Sequence, residues 1–161
     1  MKKLTNNERN NIFIALELMF VVAEFNSIEQ DVSKILLFEK YKENYKTDKA
    51  LKYLKKLTSG SFKYREKIDA LEEIIKNNNL NIDIEDLRNL GKSRNVLLHA
   101  IYFLDDRKEK IEDKILLRKI ESGSFSEESK KFDDYSKRAR VDIQKIGNFY
   151  NLSVKDGSIE L

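Results

Sequence analysis

The chain has no cysteine, no proline, only five glycines and a single histidine in 161 residues. Without cysteine it can build neither a disulfide framework nor a thiolate metal site. With one histidine, a zinc site would rest on His99 and carboxylates alone, so neither a metal nor a cofactor is expected. The shortage of proline and glycine argues against a fold of many short strands, which needs such residues at its turns. Long apolar runs are missing too. The segment Met1-Lys2-Lys3-Leu4-Thr5-Asn6-Asn7-Glu8 enters polar residues at once, and Leu18-Met19-Phe20-Val21-Val22-Ala23 is far too short to span a bilayer. A cytoplasmic protein with no membrane partner is the expectation.

What is present points to helix. Hydrophobic residues make up 40% of the chain and charged residues 37%. The apolar positions recur regularly, which argues against disorder. A mass of 19.0 kDa fits one domain with a real core. The 31 basic residues are nearly balanced by 28 acids, giving a net charge of +3. That balance permits a nucleic-acid partner without demanding one.

The spacing predicts an all-α, up-and-down bundle of about five helices with a long first helix. Residues 1–152 form the domain, and 153–161 are expected as a loosely ordered tail. Ile14, Leu18, Val21, Phe25, Ile28, Val32 and Ile35 alternate four and three apart, marking one helix face from about Asn7 to Tyr45. Asn26-Ser27 resembles a break, with Ser27 and Gln30 spaced as a capping box, yet the stripe keeps its phase. One helix, with room for a kink, is expected there. Thr47 opens a second helix, Asp48–Thr58, which Gly60 closes. A third covers about Ser61 to Asn77. The fourth starts near Asp83 and reaches about Leu104, with Leu87, Leu90, Arg94, Leu97 and Ile101 on one side. The stretch 105–125 is charged and then extended or weakly helical. Ser126 opens the last helix, with Phe132, Tyr135, Ala139, Ile143, Ile146 and Tyr150 inward.

The fourth helix breaks its own pattern. Arg94 falls where the stripe expects a hydrophobe, and an arginine facing a core needs a partner or a cleft. Gly91 is unfavourable inside a helix by about 1 kcal/mol relative to alanine, and suggests close approach of another backbone or a ligand. His99 follows five residues after the arginine. A lone histidine near an apolar face is more often structural than catalytic, so the surroundings matter.

Those surroundings, Leu87-x-x-Leu90-x-x-x-Arg94-Asn95-x-Leu97-Leu98-His99-Ala100, resemble the signature of HEPN domains. There an arginine followed by a polar residue, usually asparagine, precedes a histidine by four to six intervening residues. The segment 25–32 resembles the long first helix of that family, and 63–68 the element before the motif helix. The resemblance covers most of the chain, but its specific part is 87–100. It implies a metal-independent endoribonuclease whose site forms in a homodimer, with Arg94, Asn95 and His99 catalytic. It further implies a toxin or antiviral defence effector acting on RNA, with a cognate antitoxin or regulatory protein as a possible partner.

The chemistry suits those residues. Cleaving RNA without a metal needs a base for the 2′-hydroxyl, an acid for the leaving 5′-oxygen and a cation for the phosphorane. A histidine performs proton transfer near neutral pH, and an arginine fork binds phosphate oxygens. Asn95 can orient the histidine or the scissile phosphate. One chain has one histidine, so a symmetric dimer is needed to supply both acid and base. On an ideal helix Arg94 and His99 lie about 140° and about 7.5 Å apart, which also favours convergence across two chains.

Lys92, Ser93 and Tyr102 are weaker candidates for substrate contact, with a solvated helix flank the rival reading for the first two. HEPN toxins paired with nucleotidyltransferase antitoxins carry a modified tyrosine two residues after the histidine. Ile101 stands at that position here, so that mode of control is not implied. Asp83, Glu85 and Asp86 are better explained by the helix dipole than by magnesium. Lys130, Lys131, Lys137, Arg138 and Arg140 alternate with acids and read as a solvated face before an RNA track. Two further readings stand beside the nuclease: a non-catalytic HEPN module that binds a protein, nucleotide or RNA, and a plain helical scaffold.

Overall fold

A computed structural model describes the backbone of residues 6–99, 124–155 and 158–160, and the side chains of 12–99, 125–155 and 158–160. Most of it is five α-helices: α1 (Asn6–Tyr41), α2 (Asp48–Thr58), α3 (Tyr64–Asn77), α4 (Glu85–His99) and α5 (Ser124–Phe149). Two three-residue strands follow, β1 (Ser153–Lys155) and β2 (Ser158–Glu160).

The helix α1 is continuous for 36 residues, about 54 Å at 1.5 Å per residue. Leu18, Val21, Phe25, Ile28, Val32 and Ile35 are all buried, and Ile14 packs against them half-buried. Ser27 therefore caps nothing. Its hydroxyl instead accepts a hydrogen bond from Arg140 of α5 at 3.1 Å. At the start of α2 the Thr47 hydroxyl accepts from the Ala50 N–H at 3.4 Å. Gly60, past its end, takes φ +76°, a left-handed conformation that favours glycine. The helix α3 begins at Tyr64, a few residues later than the apolar spacing suggests, because Glu66 catches the Lys63 N–H at 2.9 Å. Asp83 receives the Glu85 N–H at 2.9 Å, so that carboxylate serves the start of α4.

Side-chain contacts fix the directions of the helices. Ser129 of α5 bonds Glu17 of α1, and Arg140 bonds Glu24, so these two run the same way. Ser93 of α4 meets Glu128 while Asp86 meets Arg138, so α4 runs against α5. Lys67 of α3 pairs with Glu29, placing α3 beside α1. The bundle is thus all-α and up-and-down, with α4 antiparallel to its neighbours. At its centre Ile28, Val32, Ile35, Leu71, Leu90, Ala139 and Ile146 are fully buried. Among the described residues no helix is long and apolar enough to cross a membrane.

The tail departs from expectation. β1 and β2 pair antiparallel, Val154 opposite Ile159, and Ile159 is buried. The Ile159 N–H donates to the buried Asp31 carboxylate at 3.1 Å, and its carbonyl accepts from Lys34. Gly147 of α5 admits the side chain: a β-carbon there would lie 3.3 Å from Ile159 Cδ1. One buried isoleucine contributes about 1.5–3 kcal/mol, enough to hold so short a segment. The polar composition of the tail conceals this anchor.

Candidate functional site

The register of α4 differs from the sequence expectation by one residue. Leu87, Leu90 and Leu97 are buried as expected, but Ser93 and not Arg94 occupies the remaining inward position. The Ser93 hydroxyl points to the Glu128 carbonyl of α5 at 3.4 Å. Its small volume lets α4 and α5 approach, and its burial removes it from the candidates for substrate contact. Arg94 sits one step round the helix, half-buried at the edge of the core.

Its surroundings are specific. The guanidinium lies over the Phe25 ring, 4.9 Å from the centroid. One terminal nitrogen donates to the Asn95 side-chain oxygen at 2.9 Å. Nε is buried with no acceptor among the described residues. No carboxylate of the described residues lies within ion-pair distance of this arginine, whereas Arg88 on the same helix contacts Asp69 at 2.9 Å and Glu72 at 2.8 Å. Arg88 is a structural cation. Arg94 is a cation held by an aromatic face and an amide, with capacity left for an anion.

Gly91 has a plain cause. A β-carbon there would lie 2.7 Å from Cε1 of Tyr64 and 2.9 Å from Cδ1, so the missing side chain admits an aromatic ring of α3 rather than a backbone or ligand. The Tyr64 hydroxyl donates to the Leu87 carbonyl at 2.9 Å, and its ring leans on Phe25 with centroids 4.6 Å apart. Burial, and then the nearby Glu29 carboxylate, push the Tyr64 phenol far above its ordinary range. Glu29 in turn receives the buried Lys67 ammonium at 2.7 Å.

These groups wall a half-open cleft of about 750 Å³ between α1, α3 and α4. Arg94 and Asn95 line it, and His99 does not. Asn95, Val96 and His99 are exposed on the outer face of α4. Asn95 and His99 are four residues apart, so their directions differ by only about 40° on the helix. The arrangement is a strip: arginine at the cleft edge, asparagine bonded to it, histidine one turn further on the open face. A phosphate on Arg94 and Asn95 can extend along that face towards an imidazole. Within one chain the strip offers one proton-transfer group, His99.

Lys92 is exposed, bonded to Asn89 at 3.0 Å and 3.7 Å from Glu85, beside the same cleft. Tyr102, Ile101 and the stretch 105–123 lie outside the described residues. The basic residues of α5 are largely paired: Arg138 with Asp86, Arg140 with Glu24, Lys137 with Asp133 and Lys131 with Glu128. They form a salt-bridged helix face, which favours the solvated reading over an RNA track. Among the described residues no group of three or more His, Asp or Glu could hold a metal ion.

Sequence reasoning missed Phe25, Tyr64 and the Lys67–Glu29 pair as parts of the site. Tyr64, Lys67, Leu71 and Ile74 follow helical spacing, so an inward Lys67 was detectable as another charge on an apolar face. The roles of Phe25 and Tyr64 were not, because aromatic rings on core stripes look like any other core residue.

No protein-family model, no curated protein and no solved structure matches this chain.

Proposed function

We propose that this protein is a metal-independent endoribonuclease of the HEPN type, working as a homodimer. The observation that carries the reading is the Arg94 arrangement: a half-buried guanidinium over Phe25, bonded to Asn95, with no carboxylate partner among the described residues. A structural arginine would be paired, as Arg88 is. In the proposed reaction one His99 takes the proton of the substrate 2′-hydroxyl, whose oxygen then attacks phosphorus. The partner's His99 protonates the departing 5′-oxygen, leaving a 2′,3′-cyclic phosphate and a 5′-hydroxyl. Arg94 stabilises the negative charge of the phosphorane.

A second copy has a face to meet. Ile12, Phe13, Leu16, Met19 and Phe20 of α1 are 48%, 59%, 51%, 68% and 74% exposed. Their spacing puts them within about 120° of helix surface. Because α4 is antiparallel to α1 and Arg94 lies over Phe25, the His99 end of α4 points to the same end of the bundle as this stripe. At roughly 150–250 Å² per aromatic, the stripe presents on the order of 500 Å² or more per chain. Two copies then approach the lower limit of a specific interface. A role as a toxin or defence effector follows from the same reading, with cellular or phage RNA as target.

One observation favours a second reading, a non-catalytic nucleotide- or protein-binding module: His99 stands outside the cleft that Arg94 lines. The test is cleavage of single-stranded RNA in EDTA, with product ends identified. The expected result is 2′,3′-cyclic phosphate ends, lost in His99→Ala and Arg94→Ala while helical circular dichroism persists. Arg94→Lys should rescue little, since a point charge cannot reproduce the fork. Full activity in a folded His99→Ala protein would overturn the proposal, because the chain has no other histidine.

A further inference from the structure

We infer that the cleft between α1, α3 and α4 is a seat for one nucleotide, its phosphate on Arg94 and Lys63 and its base against the aromatic wall of Phe62 and Tyr64. The inference rests on the proposed RNA chemistry only for the source of that nucleotide; the cleft itself stands on its own geometry.

Charge is the first argument. Five cationic side chains line the cleft, Lys63, Arg65, Arg88, Lys92 and Arg94, against one carboxylate, Glu29. Glu29 is already neutralised by Lys67 at 2.7 Å. Arg88 is held by two acids, Arg65 lies 3.8 Å from Asp69, and Lys92 lies 3.7 Å from Glu85. Lys63 and Arg94 remain as the two lining cations with no carboxylate within ion-pair distance among the described residues. Lys63, at the start of α3, and Arg94, on α4, line the same cleft, so an anion there meets positive charge that no carboxylate has claimed.

Shape and polarity are the second argument. About 750 Å³ lies within the range that holds a nucleotide-sized ligand. The same lining carries an apolar surface beside the cations, built from Phe62, Tyr64 and Ile68. Tyr64 cannot turn away, since its hydroxyl is bonded to the Leu87 carbonyl and its ring is wedged against Gly91 and Phe25. A fixed aromatic surface beside unpaired cations suits a planar base joined to a phosphate. A sugar alone would leave the cations unused, and a simple phosphate would leave the wall uncovered.

The experiment uses the full chain carrying His99→Ala, so that binding is read without cleavage. Amide NMR shifts and affinity are measured for adenosine 5′-monophosphate, adenosine, inorganic phosphate and an eight-nucleotide single-stranded RNA. Adenosine monophosphate or RNA should shift residues 62–65 and 91–95. Adenosine and phosphate alone should each bind at least tenfold more weakly. Lys63→Glu, on an exposed side chain, should weaken binding about tenfold or more, and Arg94→Gln likewise. Lys145→Glu, on the outer face of α5, should change it less than twofold. Binding of the mononucleotide without RNA identifies a free nucleotide as ligand, upholding the cleft while the nuclease reading fails. Binding of RNA with only weak mononucleotide binding identifies the RNA chain as source. No binding by either, shifts confined to α5, or affinity unchanged in Lys63→Glu would overturn the inference.

Discussion

Replacing Gly91 by alanine tests how the cleft is built. Considered on helix propensity alone, Gly91→Ala should stabilise α4 by about 1 kcal/mol. The structure reverses that sign. The new methyl would stand 2.7 Å and 2.9 Å from two carbons of the Tyr64 ring, well inside contact distance. The ring has little room to retreat, with its hydroxyl bonded to the Leu87 carbonyl at 2.9 Å and its far side against Phe25. Overpacking costs about 1–3 kcal/mol, and a strained or lost tyrosine hydrogen bond adds about 1 kcal/mol. The net expectation is a destabilisation of about 1–3 kcal/mol. For a chain of this length each kcal/mol shifts Tm by about 2–4 °C. Urea and thermal unfolding followed by circular dichroism would read it. A double-mutant cycle with Tyr64→Leu removes the ring edge from the collision. In that background Gly91→Ala should approach neutrality or become stabilising, a coupling of about 2 kcal/mol. Should Gly91→Ala alone stabilise the protein, the wedge of Tyr64 against α4 is not what fixes the cleft.

The exposed stripe on α1 predicts assembly: light scattering should give about twice 19.0 kDa, and Met19→Glu with Phe20→Glu should return the mass of one chain while the fold persists. A wild-type monomer at high concentration, or a dimer untouched by the two glutamates, would refute the stripe as the seam. The raised pKa of Tyr64 predicts alkaline sensitivity. A phenol whose folded pKa lies above its unfolded value of about 10 contributes stability that is intact below pH about 10 and lost above it. Unfolding midpoints at pH 8 and pH 11 should therefore differ less in Tyr64→Phe than in the wild type. Tyr150, raised by burial and by its hydrogen bond to Glu39, acts with the same sign and keeps the difference from vanishing.

Helical periodicity by itself determined the fold class, the long α1, the start of α2 at Thr47 and most of the buried positions from Leu18 to Ile146. It could do so because one apolar face per helix is a local property, written every three or four residues. It also marked the segment around Gly91 and Arg94 as irregular. The meaning of those irregularities was decided by tertiary structure. Whether Ser93 or Arg94 faces the core depends on the direction from which α5 arrives, and Ser93 is the one that admits it. Gly91 is required by a ring from α3, Arg94 rests on a ring from α1, and the tail is fixed by Asp31 of α1. In each case the partner lies more than twenty residues away. Periodicity cannot report such contacts, because they exist only once separate helices have packed.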